Sequence, residues 1–343
     1  MSFPISRRRL LATTATATIG APAILRAQTR EILVRGAAPD TTWMKTRFIP
    51  PFEQKYNAKV LYEGAIATIN LEKLRSEKAK PQTSVVLLGE SEMGTAKKEG
   101  LLLDLSSFKV PNLAELRPNY VRGSGWWCYT RRQWIGIAVN VNENNLSEVS
   151  WADLWDPKYK SAVALPSIQN ADSPAWLTMS AVLETNKPIS QGLYDTDAAF
   201  RKLASLKPNL LNVYTNLPQA FNLLEQGEAK LFVTFSSYVA TRRAGGSPVK
   251  IIVPKEGAFE LTQTIGLVAN GPAPELGALF INELLEAGFQ QWLVSADGSV
   301  PANKHAATAP GAPKDEQVHP IDWPYFQANR PEMLKRWDRE MRL

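Results

Sequence analysis

The chain has 343 residues, 44% hydrophobic and 21% charged, a globular composition on a length that exceeds what one hydrophobic core organises. Its formal charge of +6 is partly local: Arg7, Arg8, Arg9 and Arg26 fall in the first 27 residues, which hold no acid, and the rest carries 35 basic against 33 acidic residues. Those charges are interspersed as on a solvated surface, so nucleic acid is not an expected partner, and the single cysteine, Cys128, excludes an internal disulfide.

Ser6-Arg7-Arg8-Arg9-Leu10-Leu11 is a twin-arginine pattern. A weakly apolar Ala/Thr stretch follows, and Ala21-Pro22-Ala23-Ile24-Leu25-Arg26-Ala27 ends like a cleavage site. Residues 1–27 therefore read as a twin-arginine signal peptide. No later run of 18 apolar residues occurs, and Cys128 is too distant to accept a lipid anchor. The expectation is a soluble, exported, periplasmic protein.

Glu31 to Gly36 reads as a first strand. Asp40-Thr41-Thr42 reads as the N-cap cluster of a helix carrying Trp43, Met44, Phe48 and Phe52, interrupted or ended at Pro50-Pro51. Lys59–Glu63 is a second strand, 67–80 a charged amphipathic helix and Ser84–Leu88 a third strand, after which Gly89-Glu90-Ser91 opens another helix. This βαβαβα order calls for a mainly parallel sheet with helices on both faces. The aromatic stretch Trp126, Trp127, Tyr129 and Trp134 leads into a strand from Ile135 to Val141. Further strands are read at Ala162–Leu165, Lys230–Phe235, Val249–Val253 and Phe259–Val268, with Ser167–Ser173 a polar loop and Pro174 in the first turn of a helix. Pro218 opens a helix that Gly227 ends. Glu275–Leu293 reads as one amphipathic helix, and a last helix runs from Asp322-Trp323 to Met341.

Catalytic equipment is sparse. His305 and His319 form no metal-binding pair, and Cys128 between Trp127 and Tyr129 reads as an apolar filler. Gly123-Ser124-Gly125 lacks the outer glycine of a nucleophile elbow, and no phosphate-binding glycine loop occurs. No catalytic residue, metal or cofactor is assigned. Polar and aromatic residues do collect just past strand ends, where open α/β sheets bind ligands. These are Asp40, Trp43, Glu63, Glu90, Ser91, Ser167 to Asn170, Ser236, Ser237, Tyr238 and Gln263. Each Ser, Asp or Asn also reads as a plain helix cap, and Trp43 as a core residue.

Five motifs in order carry a family resemblance. They are Ser150-Trp151-Ala152-Asp153-Leu154-Trp155-Asp156-Pro157-Lys158-Tyr159-Lys160, Pro254-Lys255-Glu256-Gly257, the helix from Glu275, Gly298-Ser299-Val300-Pro301-Ala302-Asn303, and the last helix with Trp337. From about residue 31 to the end the chain resembles bacterial solute-binding proteins of the polyamine and ferric-iron type, the periplasmic receptors of ABC importers. The resemblance implies an α/β fold of two lobes, each a mainly parallel sheet flanked by helices. It places residues 28–139 plus about 263–308 in lobe 1, and 140–262 plus about 309–343 in lobe 2. It implies a small-molecule ligand held between the lobes, hinge closure, an inner-membrane ABC permease as partner, a monomer, and no chemistry. Trp134 and Tyr238 match the interlobe cleft.

Polyamine receptors of the family carry Trp and Asp where Leu261 and Gln263 stand, and ferric receptors carry two adjacent tyrosines where Tyr238 follows Ser237. These departures point to an anionic, zwitterionic or neutral polar solute, with Arg131 or Arg132 available for a carboxylate. A polyamine receptor of the same fold is the alternative, and a secreted hydrolase the rival from another class.

Overall fold

The computed structural model describes residues 30–143 and 146–341. The leader reading of residues 1–27 lies outside them. The strands are β1 (Arg30–Ala37), β2 (Ala58–Ala65), β3 (Thr83–Leu88), β4 (Val121–Arg122), β5 (Trp127–Asn140), β6 (Val163–Pro166), β7 (Leu210–Tyr214), β8 (Leu231–Phe235), β9 (Val249–Ile252), β10 (Ala258–Leu267), β11 (Val300–Pro301) and β12 (Val318–His319). The helices are α1 (Thr41–Trp43), α2 (Ile49–Tyr56), α3 (Ala67–Ser76), α4 (Glu90–Lys98), α5 (Ser173–Thr185), α6 (Ile189–Gly192), α7 (Thr196–Leu206), α8 (Leu217–Glu225), α9 (Ser236–Ala244), α10 (Pro274–Leu284), α11 (Ala287–Asp297) and α12 (Trp323–Glu340).

The strands form one mixed sheet in the order β2-β1-β3-β10-β5-β8-β6-β7, with β4, β9 and β11 on β5 and β12 on β10. β1, β2 and β3 are parallel, as are β6, β7 and β8, and β5 and β10 pair antiparallel between the two groups. Apolar side chains gather accordingly at two ends. Ile32, Val34, Phe48, Leu87 and Phe280 form one core, with Leu71, Val86 and Met93 on the other face of its strands. Trp151, Val163, Trp176 and Phe200 form the second, backed by Phe221, Phe232 and Val239. Among the described strands β5 and β10 alone run through both: Cys128 and Ile265 lie in the first core, Ile135 and Phe259 in the second.

Three local expectations are revised. The aromatic stretch before Ile135 is not separate from the strand, because β5 starts at Trp127 and is 14 residues long. The helix expected from Glu275 to Leu293 breaks at Leu285-Glu286, where the Glu286 carboxylate accepts from Phe289 N at 2.9 Å and starts α11. Pro50 and Pro51 do not break the first helix. A wide π turn, Met44–Phe48, feeds into α2, and the prolines sit in its first turn, where missing N–H groups cost little.

The turn Pro254-Lys255-Glu256-Gly257 sends the chain into β10. Gly257 has φ +103°, and a Cβ there would come within 2.5 Å of His319 Nε2 and 2.7 Å of the Gln317 carbonyl oxygen. Only glycine fits both the conformation and the approach of β12. Trp151 secures this turn from the second core: its ring meets Phe259 edge-on at 5.9 Å, and its indole N–H donates to the Gly257 carbonyl at 2.8 Å. Trp151→Ala is expected to destabilise the protein by about 3–5 kcal/mol, measured by urea denaturation.

Candidate functional site

The carboxyl ends of β1 and β3 and those of β6 and β8 all point toward the middle of the β5–β10 pair. There the register sets Arg131 opposite Gln263, Arg132 opposite Thr262, Gln133 opposite Leu261 and Trp134 opposite Glu260. Alternation then gives the pair two unlike faces. One face carries Gln133, Leu261 and Gln263, all half-buried; the other carries Glu260, also half-buried, beside buried Arg132, Trp134 and Thr262.

Asp40, just past β1, is buried and engaged by three donors. Arg131 Nη2 lies at 2.7 Å, Gln263 Nε2 at 2.8 Å and the Trp43 indole N–H at 3.1 Å. Arg131 Nε also lies 2.9 Å from Asp297 Oδ2, and the guanidinium sits 5.6 Å from the Trp43 ring centroid. Asp40, Trp43 and Gln263, each named from the sequence as lying past a strand end, meet here. Their arrangement differs from expectation, because Asp40 makes no side-chain cap on α1 and spends its carboxylate on the crossing strands. A buried guanidinium demands a counter-charge more strongly than a short helix demands a cap.

Glu90, at the start of α4, accepts from Arg122 Nε at 2.6 Å and from the Tyr129 hydroxyl. Ser91 follows it in the first turn, where its carbonyl accepts from Thr95 Oγ1 at 3.1 Å. Glu63 stands apart. It is on the edge strand β2, paired with Arg35 and Lys73, and the Lys73 hydrogen bond, aided by Arg35, holds its carboxyl below the usual range. That network continues to Glu77 and Thr83 and ties β1 to β3.

From the second core, the Trp134 backbone N–H donates to Ser236 Oγ at 3.3 Å, and Ser237 Oγ donates to Gln133 Oε1 at 3.0 Å. Tyr238 packs on Phe235 with ring centroids 5.2 Å apart. Ser167 is buried and accepts from Gln169 N at 3.3 Å, and Asn170 Nδ2 donates to the Tyr214 carbonyl at 3.4 Å. On this flank α12 meets α4: Gln327 Nε2 lies 3.5 Å from Glu92 Oε1, while Arg330 donates to the Gln169 carbonyl.

Sequence reasoning missed Gln133, Glu260, Asp172 and Gln327. Asp172 lay in the polar loop already singled out, but nothing in a sequence reveals its burial. Its Oδ2 accepts from the Tyr214 hydroxyl at 3.1 Å, while Oδ1 has no partner. Burial pushes its carboxyl up to about 7. Glu260 is raised to about 7 as well, by burial first and then by Glu90, with Arg132 and Arg122 opposing.

Chemistry of bond making has little support here. Cys128 is buried, and burial pushes its thiol up. His305 pairs with Glu115 at 2.7 Å on the surface, and His319 contacts the Glu256 carbonyl at 2.7 Å. Among the described residues no group of three His, Cys, Asp or Glu could hold a metal, and no helix is long and apolar enough to cross a membrane. Hydroxyls and amides around a crossing pair of strands are suited to binding.

Asp172 supplies a stability test. Its folded-state value lies above the unfolded one, so it weakens the fold as pH rises from about 4 to about 7. Asp172→Asn should remove that slope and be more stable than the parent at pH 8 by about 2–4 kcal/mol, read from urea midpoints across pH 4–8.

Residues 84–329 match the model of a family described as bacterial extracellular solute-binding protein. A spermidine/putrescine-binding periplasmic protein 1 of Haemophilus influenzae is 25% identical over 303 residues, covering 84% of this chain and 82% of its own. The spermidine/putrescine-binding periplasmic protein of Escherichia coli is 23% identical over 294 residues, with 80% and 81% covered. Among solved structures, an ABC transporter protein of Clostridium perfringens superposes with a TM-score of 0.75 at 22% identity, covering 91% of this chain and 100% of that one. The family match takes in well over half of the chain and includes both crossing strands: the protein belongs to the bacterial extracellular solute-binding protein family.

Proposed function

We propose that the protein is the periplasmic substrate-binding component of an ABC importer, which captures one small organic solute between two lobes and delivers it to a membrane permease. It acts as a monomer and does no chemistry of its own. Lobe 1 comprises residues 28–139 plus about 263–308, and lobe 2 comprises 140–262 plus about 309–343. The observation that carries the reading is the β5–β10 pair, whose two ends lie in different cores while its middle is lined by the polar ends of β1, β3, β6 and β8. Two strands of this kind permit bending between lobes with little loss of packing in either core.

The solute class follows from the half-buried face of that pair. Gln133, Leu261 and Gln263 bring no charge to it, and Asp40 beneath Gln263 is already neutralised by Arg131. Ser237 and Tyr238 from lobe 2 and Asn170 add hydroxyl and amide groups. An ammonium stripped of water requires a carboxylate, and on the lobe 2 side of this face that group is Asp172, whose Oδ1 has no partner among the described residues. One carboxylate suits a neutral polar or zwitterionic solute better than a chain of ammoniums. Gln263 gives its amide N–H to Asp40, so among the described residues only its Oε1 is left for a ligand. The polyamine reading stays as the alternative, favoured by the names of the relatives that the chain matches.

Capture should make the protein more compact in small-angle scattering and raise its stability by about 2.7 kcal/mol at a hundredfold excess of solute over Kd. A thermal-shift panel of amino acids, carboxylates, phosphonates, sugars and polyamines on refolded protein is expected to find its hit outside the polyamines. A hit on spermidine or putrescine alone reverses the class. Superimposable scattering with and without a solute that binds removes the closure.

The leader belongs to the same reading. Residues 1–27 carry Ser6-Arg7-Arg8 and direct export of the folded chain. Changing Arg7 and Arg8 together to Lys should hold the precursor in the cytoplasm, checked by fractionation.

A further inference from the structure

The turn of residues 167–172 stands at the carboxyl end of β6, joins it to α5, and carries Ser167, Asn170 and Asp172. Ser167 N donates to the Tyr214 carbonyl at 2.8 Å, and Asn170 N to the Ser167 carbonyl at 2.8 Å. Ser173 closes two more carbonyls, donating from Oγ to Ile168 at 2.9 Å and from N to Asn170 at 3.2 Å. Of the carbonyls from Ser167 to Asn170, that leaves Gln169. Its oxygen is met from outside the turn, by Arg330 Nη2 of α12, 161 residues away. A backbone oxygen held by a guanidinium makes a charge-assisted bond, stronger than the neutral bonds around it.

α12 breaks two local rules at this place. It faces the turn with a stripe at spacings of three and four, Trp323, Phe326, Arg330 and Met333. Phe326 and Met333 are buried in the second core, and Ile168 and Leu177 lie across from them. Position 330 of such a stripe calls for an apolar side chain, yet an arginine stands there. The next residue, Pro331, lies inside the helix and has no N–H for the Gln327 carbonyl, so α12 gives up a rung at the same turn. Gln327 itself reaches Glu92 of α4 at 3.5 Å, which puts this turn of α12 where the two cores approach each other. Departures from packing pattern and from the hydrogen-bond ladder at adjacent residues are expected where a site requires them. An arginine that only covered apolar surface would send its head group to water. Here the guanidinium goes to a backbone oxygen instead.

We propose that Arg330 is a positioning residue of the solute site, which fixes the Gln169 peptide and through it the places of Asn170 and Asp172. The proposal rests on the receptor reading above. Gln169 is exposed, so water replaces a lost donor and the whole fold loses little. What is lost is the single conformation of the turn, which then opens locally. The bond is a single one to a carbonyl, so a cationic donor of similar reach serves. Lysine therefore substitutes for arginine here, as it would not at a two-pronged carboxylate site.

The test compares the parent, Arg330→Met and Arg330→Lys. Met keeps the apolar stem and removes the donor, and Lys restores a donor. Amide exchange at Asn170 and Ser173, without added solute, should be about tenfold faster in Arg330→Met, the size of one charge-assisted bond. The rest of α5 and the urea midpoint should match the parent, and Arg330→Lys should return to near the parent rate. No acceleration in Arg330→Met overturns the proposal, as does an equal acceleration in Arg330→Lys. Acceleration that spreads through α5 with a fall in urea midpoint also overturns it, because Arg330 is then a packing residue. The panel of amino acids, carboxylates, phosphonates, sugars and polyamines is then run on all three proteins. Compounds that stabilise the parent should bind Arg330→Met about tenfold more weakly and Arg330→Lys nearly as well. If they bind Arg330→Met as they bind the parent, the receptor stands and the positioning role falls. If nothing in the panel stabilises the parent, the receptor reading falls, and the exchange rates still decide whether Arg330 holds the turn.

Discussion

The buried contact of Arg131 with Asp40 and Gln263 holds the architecture in register. Arg131 and Gln263 are opposite residues on the two crossing strands, and both reach the same carboxylate at the end of β1. Asp297 at the end of α11 takes a second side of the guanidinium. Four separate pieces of chain thus meet on one desolvated charge. Such a cluster adds little net stability over an apolar equivalent, but removing one partner strands a buried charge at a cost of about 3–5 kcal/mol. Its value lies in position: it ties the two crossing strands at residues 131 and 263 to the end of β1 and the end of α11.

The stretch beyond this lock has different demands on its two faces. One face, with Gln133, Leu261 and Gln263, offers amides and one apolar surface. Amides can both donate and accept, so they serve a solute without imposing a charge. The other face carries Glu260 beside buried Trp134 and Arg132, where every arginine in reach has an acid of its own. Two helix contacts brace the segment from either side. α9 packs against α11 on one flank, and Gln327 of α12 touches Glu92 of α4 on the other.

This economy suits a binding protein. A receptor gains from binding that shifts an equilibrium between two arrangements, and a solute can shift it only by its difference in affinity for them. Residues that touch both lobes, or that stand between them, therefore matter more than strong single contacts. Ser236 and Ser237 illustrate the point: they are bonded to Trp134 N and Gln133, so the start of α9 follows the crossing strand.

Much of this was legible in the amino-acid order. Strand and helix periodicity, the βαβαβα opening and the Pro254–Gly257 turn determined the fold class, because hydrophobic alternation and turn chemistry are local. They also marked Asp40, Trp43 and Gln263 as lying just past strand ends. The sequence did not determine which polar residues were spent on the fold. Glu63 looks the same on paper as Glu90, yet the edge position of β2 gives it to Arg35 and Lys73. Asp40 passes for a helix cap until Arg131 arrives from 91 residues away. Nothing in the order of residues marks Asp172 or Glu260, and only the packing of distant segments buries the first and half-buries the second. Pairing and burial are properties of long-range contacts, so the tertiary structure alone decided them.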